Sequence, residues 1–129
     1  MATEADAVGT LIRSDAAVKA LVADRVFALV MPPTTRFPLV TYQRTGREPF
    51  RTLSGASSLA ASRYAIDCWG MTDSEADGVA KAVRDVVDGF VGTVVGVDLA
   101  ITNEGQSLSF DEASGLFRGR VDVDVVGRG

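Results

Sequence analysis

The residues of this 129-residue chain that could do chemistry are two carboxylate pairs and one thiol. Asp73 with Glu75, and Asp111 with Glu112, could share acid–base work on a glycosidic bond if one carboxyl were held protonated and the other ionised. Cys68 could act as a nucleophile if a nearby base or cation lowered its pKa. The usual partner is missing, because the chain contains no histidine. That absence removes the imidazole-dependent serine and cysteine triads, the paired-histidine zinc sites and the commonest general base near neutral pH. Position argues against what remains. Asp73 and Glu75 fall in the opening turn of a helix pattern and Asp111 and Glu112 in a turn, where acids serve structure. The second pair also supplies too few oxygens to hold calcium or magnesium. Cys68 lies within a strand pattern, where a lone thiol acts as a small buried hydrophobe, and a single cysteine can form no internal disulfide. Gly89, Gly92 and Gly96 do not have the spacing of a dinucleotide loop, and no lysine-bearing phosphate loop occurs. Asp67 and Trp69, at a strand end, read as a core lid or an interface anchor rather than a ligand site. The expectation is a protein that is not an enzyme, with no catalytic residues, no metal and no cofactor.

The elements that position these residues centre on Arg63 to Gly92, RYAIDCWGMTDSEADGVAKAVRDVVDGFVG, which predicts one strand running into one helix. Tyr64, Ile66 and Cys68 alternate with Ala65, Asp67 and Trp69, so both faces of the strand are at least half covered. Gly70 ends it. Thr72 and Glu75 have capping-box spacing, and Ala76, Val79, Ala80, Val83, Val87 and Phe90 form one apolar helical stripe that must lie on a sheet. Gly89 is placed to end that helix in a left-handed conformation.

Around this unit, Glu4 to Arg13 predicts a first helix and Ser14 or Asp15 caps a short second one through Val22. Val26 to Met31 predicts a strand ended by Pro32 and Pro33, and Pro38 opens another through Arg44. From Gly46 to Ser62 the pattern weakens into arginines, serines and isolated apolar residues, which reads as a long hairpin or mobile arm; a solvated surface loop fits the same composition. Val94 to Thr102 predicts a strand with Val95, Val97, Leu99 and Ile101 on one side. Asn103 to Ser107 reads as a turn and Gln106 to Phe110 as a short strand. Leu116 to Val126 alternates most cleanly, with Phe117, Val121, Val123 and Val125 inward and Arg118, Arg120, Asp122 and Asp124 outward, which implies one covered face and one wet one. The tail, residues 127–129, is expected to fray. Together these elements define an α+β fold: a single domain over residues 1–129, with a mainly antiparallel (mixed) sheet of four to six strands and helices packed on one face.

Composition narrows the function. Hydrophobic residues make up 47% and charged residues 23%, and no apolar run reaches the ~20 residues of a membrane span, so a soluble globular protein with no membrane partner is expected. The N-terminus carries acid where an export signal carries base, which points to synthesis in the cytoplasm. A net charge of −4 argues against a dedicated nucleic-acid binder. Lys19 and Lys81 are the only lysines, and arginine, the rest of the base, suits directional pairing with carboxylates at protein interfaces.

One set of residues carries a resemblance. Arg63, Ile66-Asp67-Cys68-Trp69, Thr72, Glu75-Ala76, Val79-Ala80, Val83-Arg84 and Phe90 resemble the signature of the small tail-completion, or tail-terminator, proteins of long-tailed bacteriophages and gene-transfer particles. The order of the other pieces matches: an N-terminal helix, the Pro38 to Arg44 strand, a Leu53-Ser54-Gly55 arm and a closing Gly115-Leu116-Phe117-Arg118 hairpin strand. The likeness runs from Leu11 to Val126, and the chain departs from it in ending VVGRG rather than in an aromatic strand end. The resemblance implies a virion protein at the head-proximal end of the tail. Such a protein forms a ring with itself, usually a hexamer, that caps the tail tube protein and presents a joining surface to the head-tail connector or neck protein. DNA would pass through without specific binding. A heterologous contact that closes such a ring would form if Arg44, Arg47, Phe50, Arg51 and Leu53 of the arm met Asp73, Glu75 and Asp77 of a neighbour. Two alternatives stay open: a head-side neck or connector protein of the same particle, and a cellular ligand-binding α+β domain, which would need a concave apolar pocket.

Overall fold

Helix α1 (Glu4–Ser14) starts from a reciprocal cap, in which the Thr3 hydroxyl accepts from the Asp6 N–H and the Asp6 carboxylate accepts from the Thr3 N–H. Asp15 accepts from the Val18 N–H and opens α2 (Ala16–Val22). These contacts belong to a computed structural model that describes residues 3–30, 36–52 and 55–128, with backbone alone for 47–52, 55–60 and 127–128. No helix among the described residues is long and apolar enough to cross a membrane.

Six strands form one mixed sheet: β1 (Val26–Ala28), β2 (Leu39–Thr52), β3 (Gly55–Gly70), β4 (Val91–Val94), β5 (Val97–Asp111) and β6 (Leu116–Arg128), in the spatial order β1-β2-β3-β6-β5-β4. Only the β1–β2 pair is parallel. The β2–β3 hairpin pairs from Leu39↔Trp69 out to Thr52↔Gly55, so the backbone on either side of residues 53 and 54 is an antiparallel ladder. The expectation of an α+β fold with helices on one face of the sheet is met. Pro32, Pro33 and Leu53 lie outside the described residues, as does Gly129. Backbone pairing in β6 continues to Arg128.

Three boundaries differ from the sequence reading. Strand β1 stops at Ala28, because Leu29 turns to φ 66° while its N–H still reaches the Tyr42 carbonyl. The predicted Val94–Thr102 strand is two strands. Val95 (φ 44°) and Gly96 (φ 81°) form the two-residue left-handed connection of a tight hairpin, a break that alternation hides because Val95 stays in phase with Val97. The predicted turn at Asn103–Ser107 is a β-bulge. The Asn103 side chain accepts from the Gly105 N–H at 3.1 Å, and β5 runs on through it to Asp111.

Helix α3 (Asp73–Val87) lies across β3, β5 and β6. The Thr72 hydroxyl accepts from the Glu75 N–H, but the Glu75 carboxylate reaches past the cap residue to the Met71 N–H at 2.9 Å, so the expected box is half formed. Gly89 (φ 75°) follows the helix end as predicted. The core joins Val8 and Ile12 of α1, Val18 and Val22 of α2, Val79, Val83 and Val87 of α3, and Tyr64, Ile66, Cys68, Val121, Val123 and Val125 of the central strands. Gly119 sets how close α3 can come, since a Cβ there would sit 2.9 Å from both the Ala76 carbonyl oxygen and the Ala80 Cβ. Glycine on the strand and alanines on the helix form one close-packed joint.

Substituting alanine at Gly119 should therefore lower stability by about 1–3 kcal/mol through overpacking against helix backbone. The same substitution at Gly78, whose Cβ direction is open space, should raise stability by about 0.5–1 kcal/mol. Urea denaturation of the two variants checks both signs.

Candidate assembly surface

The groups singled out for chemistry are absorbed by structure. The Asp73 carboxylate accepts from the Ser74 N–H at 2.8 Å, and Glu75 holds Met71 as described. Asp111 accepts from the Ser114 hydroxyl at 2.6 Å in the turn between β5 and β6. Cys68 is fully buried, and desolvation, followed by the charge of Asp67, pushes its thiol far up from the ordinary range, so it has no reactive thiolate. Among the described residues no group of three or more cysteine, aspartate or glutamate side chains could hold a metal ion.

The sheet face opposite the helices carries a polar lattice instead. Asp67, 7% exposed, accepts two hydrogen bonds from Arg120 on the neighbouring strand, at 2.8 and 3.2 Å. The bond to Asp67 is the main reason that the Arg120 pKa is raised. Trp69 donates its indole N–H to the Thr41 hydroxyl at 3.0 Å, and the Arg118 guanidinium sits 5.7 Å from the Trp69 ring centroid. Arg63 pairs with Asp124 at 3.1 Å nearer the hairpin. Asp67↔Arg120, Trp69↔Arg118 and Arg63↔Asp124 are each directly opposite in the β3–β6 register. The outward face of β6 is thus knitted to β3 and, with Arg118, Arg120, Asp122 and Asp124 all partly exposed, is also the wetter of its two faces, as expected. The sequence held the signal, opposite charges at alternating positions on two strands, but it becomes readable only when the register is known.

The residues expected to meet at an interface are separated within one chain. Arg44 is exposed on β2; Arg47, Phe50 and Arg51 belong to the outer part of that strand by backbone, with their side chains outside the described residues, as all of Leu53 is. Asp73 and Asp77 are exposed at the start of α3, and Glu75 is half-buried. The hairpin end and the α3 start lie at opposite ends of the 16-residue β3, about 50 Å apart at ~3.3 Å per residue. Along β3, Arg44 (level with Tyr64) is about six residues, roughly 20 Å, from the end that leads into α3, and Arg51 (level with Ala56) about 14 residues, roughly 46 Å.

Two further surfaces escaped the sequence reading. Leu108 and Phe110 on β5, 46% and 52% exposed, lie on the helix-side face near Phe117, whose ring centroid is 5.0 Å from that of Phe110. At the other side of the sheet, a groove of about 430 Å³ runs between the start of α1 and β2, bounded by Ala5, Leu29, Tyr42, Arg44 and Tyr64. The Tyr64 hydroxyl donates to Glu4 at its rim, at 2.9 Å.

The chain is thus a small α+β domain with a cross-braced sheet face, exposed apolar residues on β5 and a helical layer behind. Residues 6–127 match the family described as Tail completion protein gp17, and the chain belongs to that family of virion structural proteins. Among solved structures, a chain in the virion of a native gene transfer agent particle shares the fold, with a TM-score of 0.80 and 21% identity over 95% of this chain and 92% of that one. No curated protein matches.

Replacing Arg120 by methionine should cost about 2–3 kcal/mol, because it strands the Asp67 carboxylate in a site with little water. The same change at the more exposed Arg63 should cost clearly less than at Arg120, because water screens that pair. Thermal unfolding of the two variants measures the difference.

Proposed function

We propose that this chain is a tail terminator: a ring of copies, with six as the expected number, that caps the tail tube protein and presents the joining surface to the head-tail connector or neck protein. The observation that carries this reading is membership of the tail-completion family over residues 6–127. Two features of the chain support it. The outer end of the basic β2–β3 hairpin and the acidic start of α3 lie at opposite ends of β3, an arrangement compatible with a head-to-tail contact between neighbours. The net charge of −4 disfavours retention of DNA passing through the ring. In this proposal Arg44, Arg47, Phe50, Arg51 and Leu53 of one copy face Asp73, Glu75 and Asp77 of the next, and the protein resides at the head-proximal end of the tail after synthesis in the host cytoplasm.

The test is genetic complementation read by electron microscopy. Particles made without this chain should appear as filled heads and separate tails, and the wild-type gene should restore joined particles. The triple change R44E/R47E/R51E should give a folded protein that restores at most about one tenth of them. Full restoration by that variant would remove the arm from the account; normal joined particles without the chain would remove the function.

A further inference from the structure

Both sides of the sheet end in strands longer than their outer neighbours. Strand β1 pairs with Val40, Thr41 and Tyr42 alone, so among the described residues no strand borders β2 from Gln43 to Thr52. Strand β4 pairs with Val97 to Ala100, and the loop before it reaches Ile101 and Asn103, so no described strand borders β5 from Glu104 to Asp111. An unbordered strand presents unpaired N–H and C=O groups that template pairing with another chain. Pro49 is tolerated in β2 because that strand is an edge there.

Resting on the ring proposed above, we infer that the open edge of β5 in one copy pairs antiparallel with the open edge of β2 in the next, seating Leu108 and Phe110 in the neighbour's groove between α1 and β2. Three observations select a second copy as the occupant. The first is charge. Residues 43–52 hold Arg44, Arg47 and Arg51 against one acid, Glu48, while residues 104–112 hold Glu104, Asp111 and Glu112 and no base.

The second is facing. Leu108 pairs with Gly119, which looks at α3, so Leu108 and Phe110 stand on the helix-side face. Tyr42 and Tyr64 of the groove belong to the same layer's core. A sheet continued from copy to copy keeps its faces, so the apolar side chains arrive where the groove is.

The third is direction and stagger. Strands β2 and β6 run one way and β3 and β5 the other, so β5 meets the next β2 antiparallel when copies are related by rotation about an axis near the strand direction. Gln106 is level with Tyr42 through Val121 and Ile66, whereas Arg47 is level with Ile101 through Ser62 and Val125. Matching the two open edges thus needs a slip of about five residues, roughly 16 Å, over four strand spacings of about 4.8 Å. The resulting inclination of about 40° lies in the range for strands in closed barrels. The same contact brings Arg44 of one copy toward the α3 start of the next and revises the rest of the proposed interface, since residues 47–52 then run along β5 toward Glu104 rather than against that helix start.

Cysteine cross-linking inside assembled tails tests this. Gln43→Cys, which shares the face opposite the helices with residues 107, 109 and 111, is combined in turn with Ser107→Cys, Ser109→Cys and Asp111→Cys, the buried Cys68 serving as an internal negative. After oxidation of purified tails, a non-reducing gel should show a ladder of multiples of the 13.6 kDa chain for at least one combination. Variants that enter tails at the wild-type level but stay monomeric in all three combinations would overturn the edge pairing and leave the ring standing. As a second arm, F110D should remain folded by circular dichroism yet enter tails at least about tenfold less than wild type; undiminished entry would also overturn the pairing. Wild-type chain missing from tails altogether would overturn the ring as well as the contact, and an immunoblot of those tails separates that failure from the others.

Discussion

The antiparallel seam between β3 and β6 is the constraint on which the rest of the molecule depends. It runs from Ala60↔Gly127 to Gly70↔Phe117 and, among the described residues, is the sole strand pairing that joins the N-terminal half of the sheet, β1-β2-β3, to the C-terminal half, β6-β5-β4. One side of the seam presents Tyr64, Ile66, Val121, Val123 and Val125 to the helices, and the joint of Gly119 with Ala76 and Ala80 lets α3 bear directly on it. The other side is braced by Asp67 with Arg120 and Arg63 with Asp124, pairs that exist only in this register. A slip of β6 by one residue would turn its valines outward and carry Arg120 and Asp124 to the core side, away from Asp67 and Arg63. Apolar pattern and charge pattern therefore specify the same register, and each enforces the other.

That rigid centre explains how so small a domain can carry long outer strands. Burial concentrates where α1, α2 and α3 cover the sheet, and the β2–β3 hairpin and the far end of β5 extend beyond that cover. Arg44 is exposed on β2, and Leu108 and Phe110 on β5. The chain has no histidine, a sealed thiol, and carboxylates occupied in caps and turns. The chain belongs to the tail-completion family of virion structural proteins.

Much of this was legible in the sequence because local rules and tertiary packing agreed. The helix stripe from Ala76 to Val87, the glycine at 89 and the alternation of Val121, Val123 and Val125 each has one reading, and the structure follows it, although Phe90, read into the same stripe, lies past the helix end. The misreadings occur where a residue's usual habit is overridden by a neighbour. Val95 looks like a strand residue and serves in a left-handed turn beside Gly96, while Asn103 and Gly105 look like a turn and form a bulge in a continuous strand. The lattice on the open face was invisible because an ion pair between residues 53 positions apart in the chain requires the topology first. Neither could exposure at Leu108 and Phe110 be read, since alternation there gives the face but not the absence of a covering strand.

The most direct measurement of the central claim, that this chain closes the tail at its junction with the head, is immunogold labelling of headless tails and of whole particles with antibodies to it. The account predicts gold at one end of isolated tails, lost or masked once heads are attached. Gold on heads but never on isolated tails would contradict it and assign the chain to the head-side connector, and gold on neither would remove it from the particle.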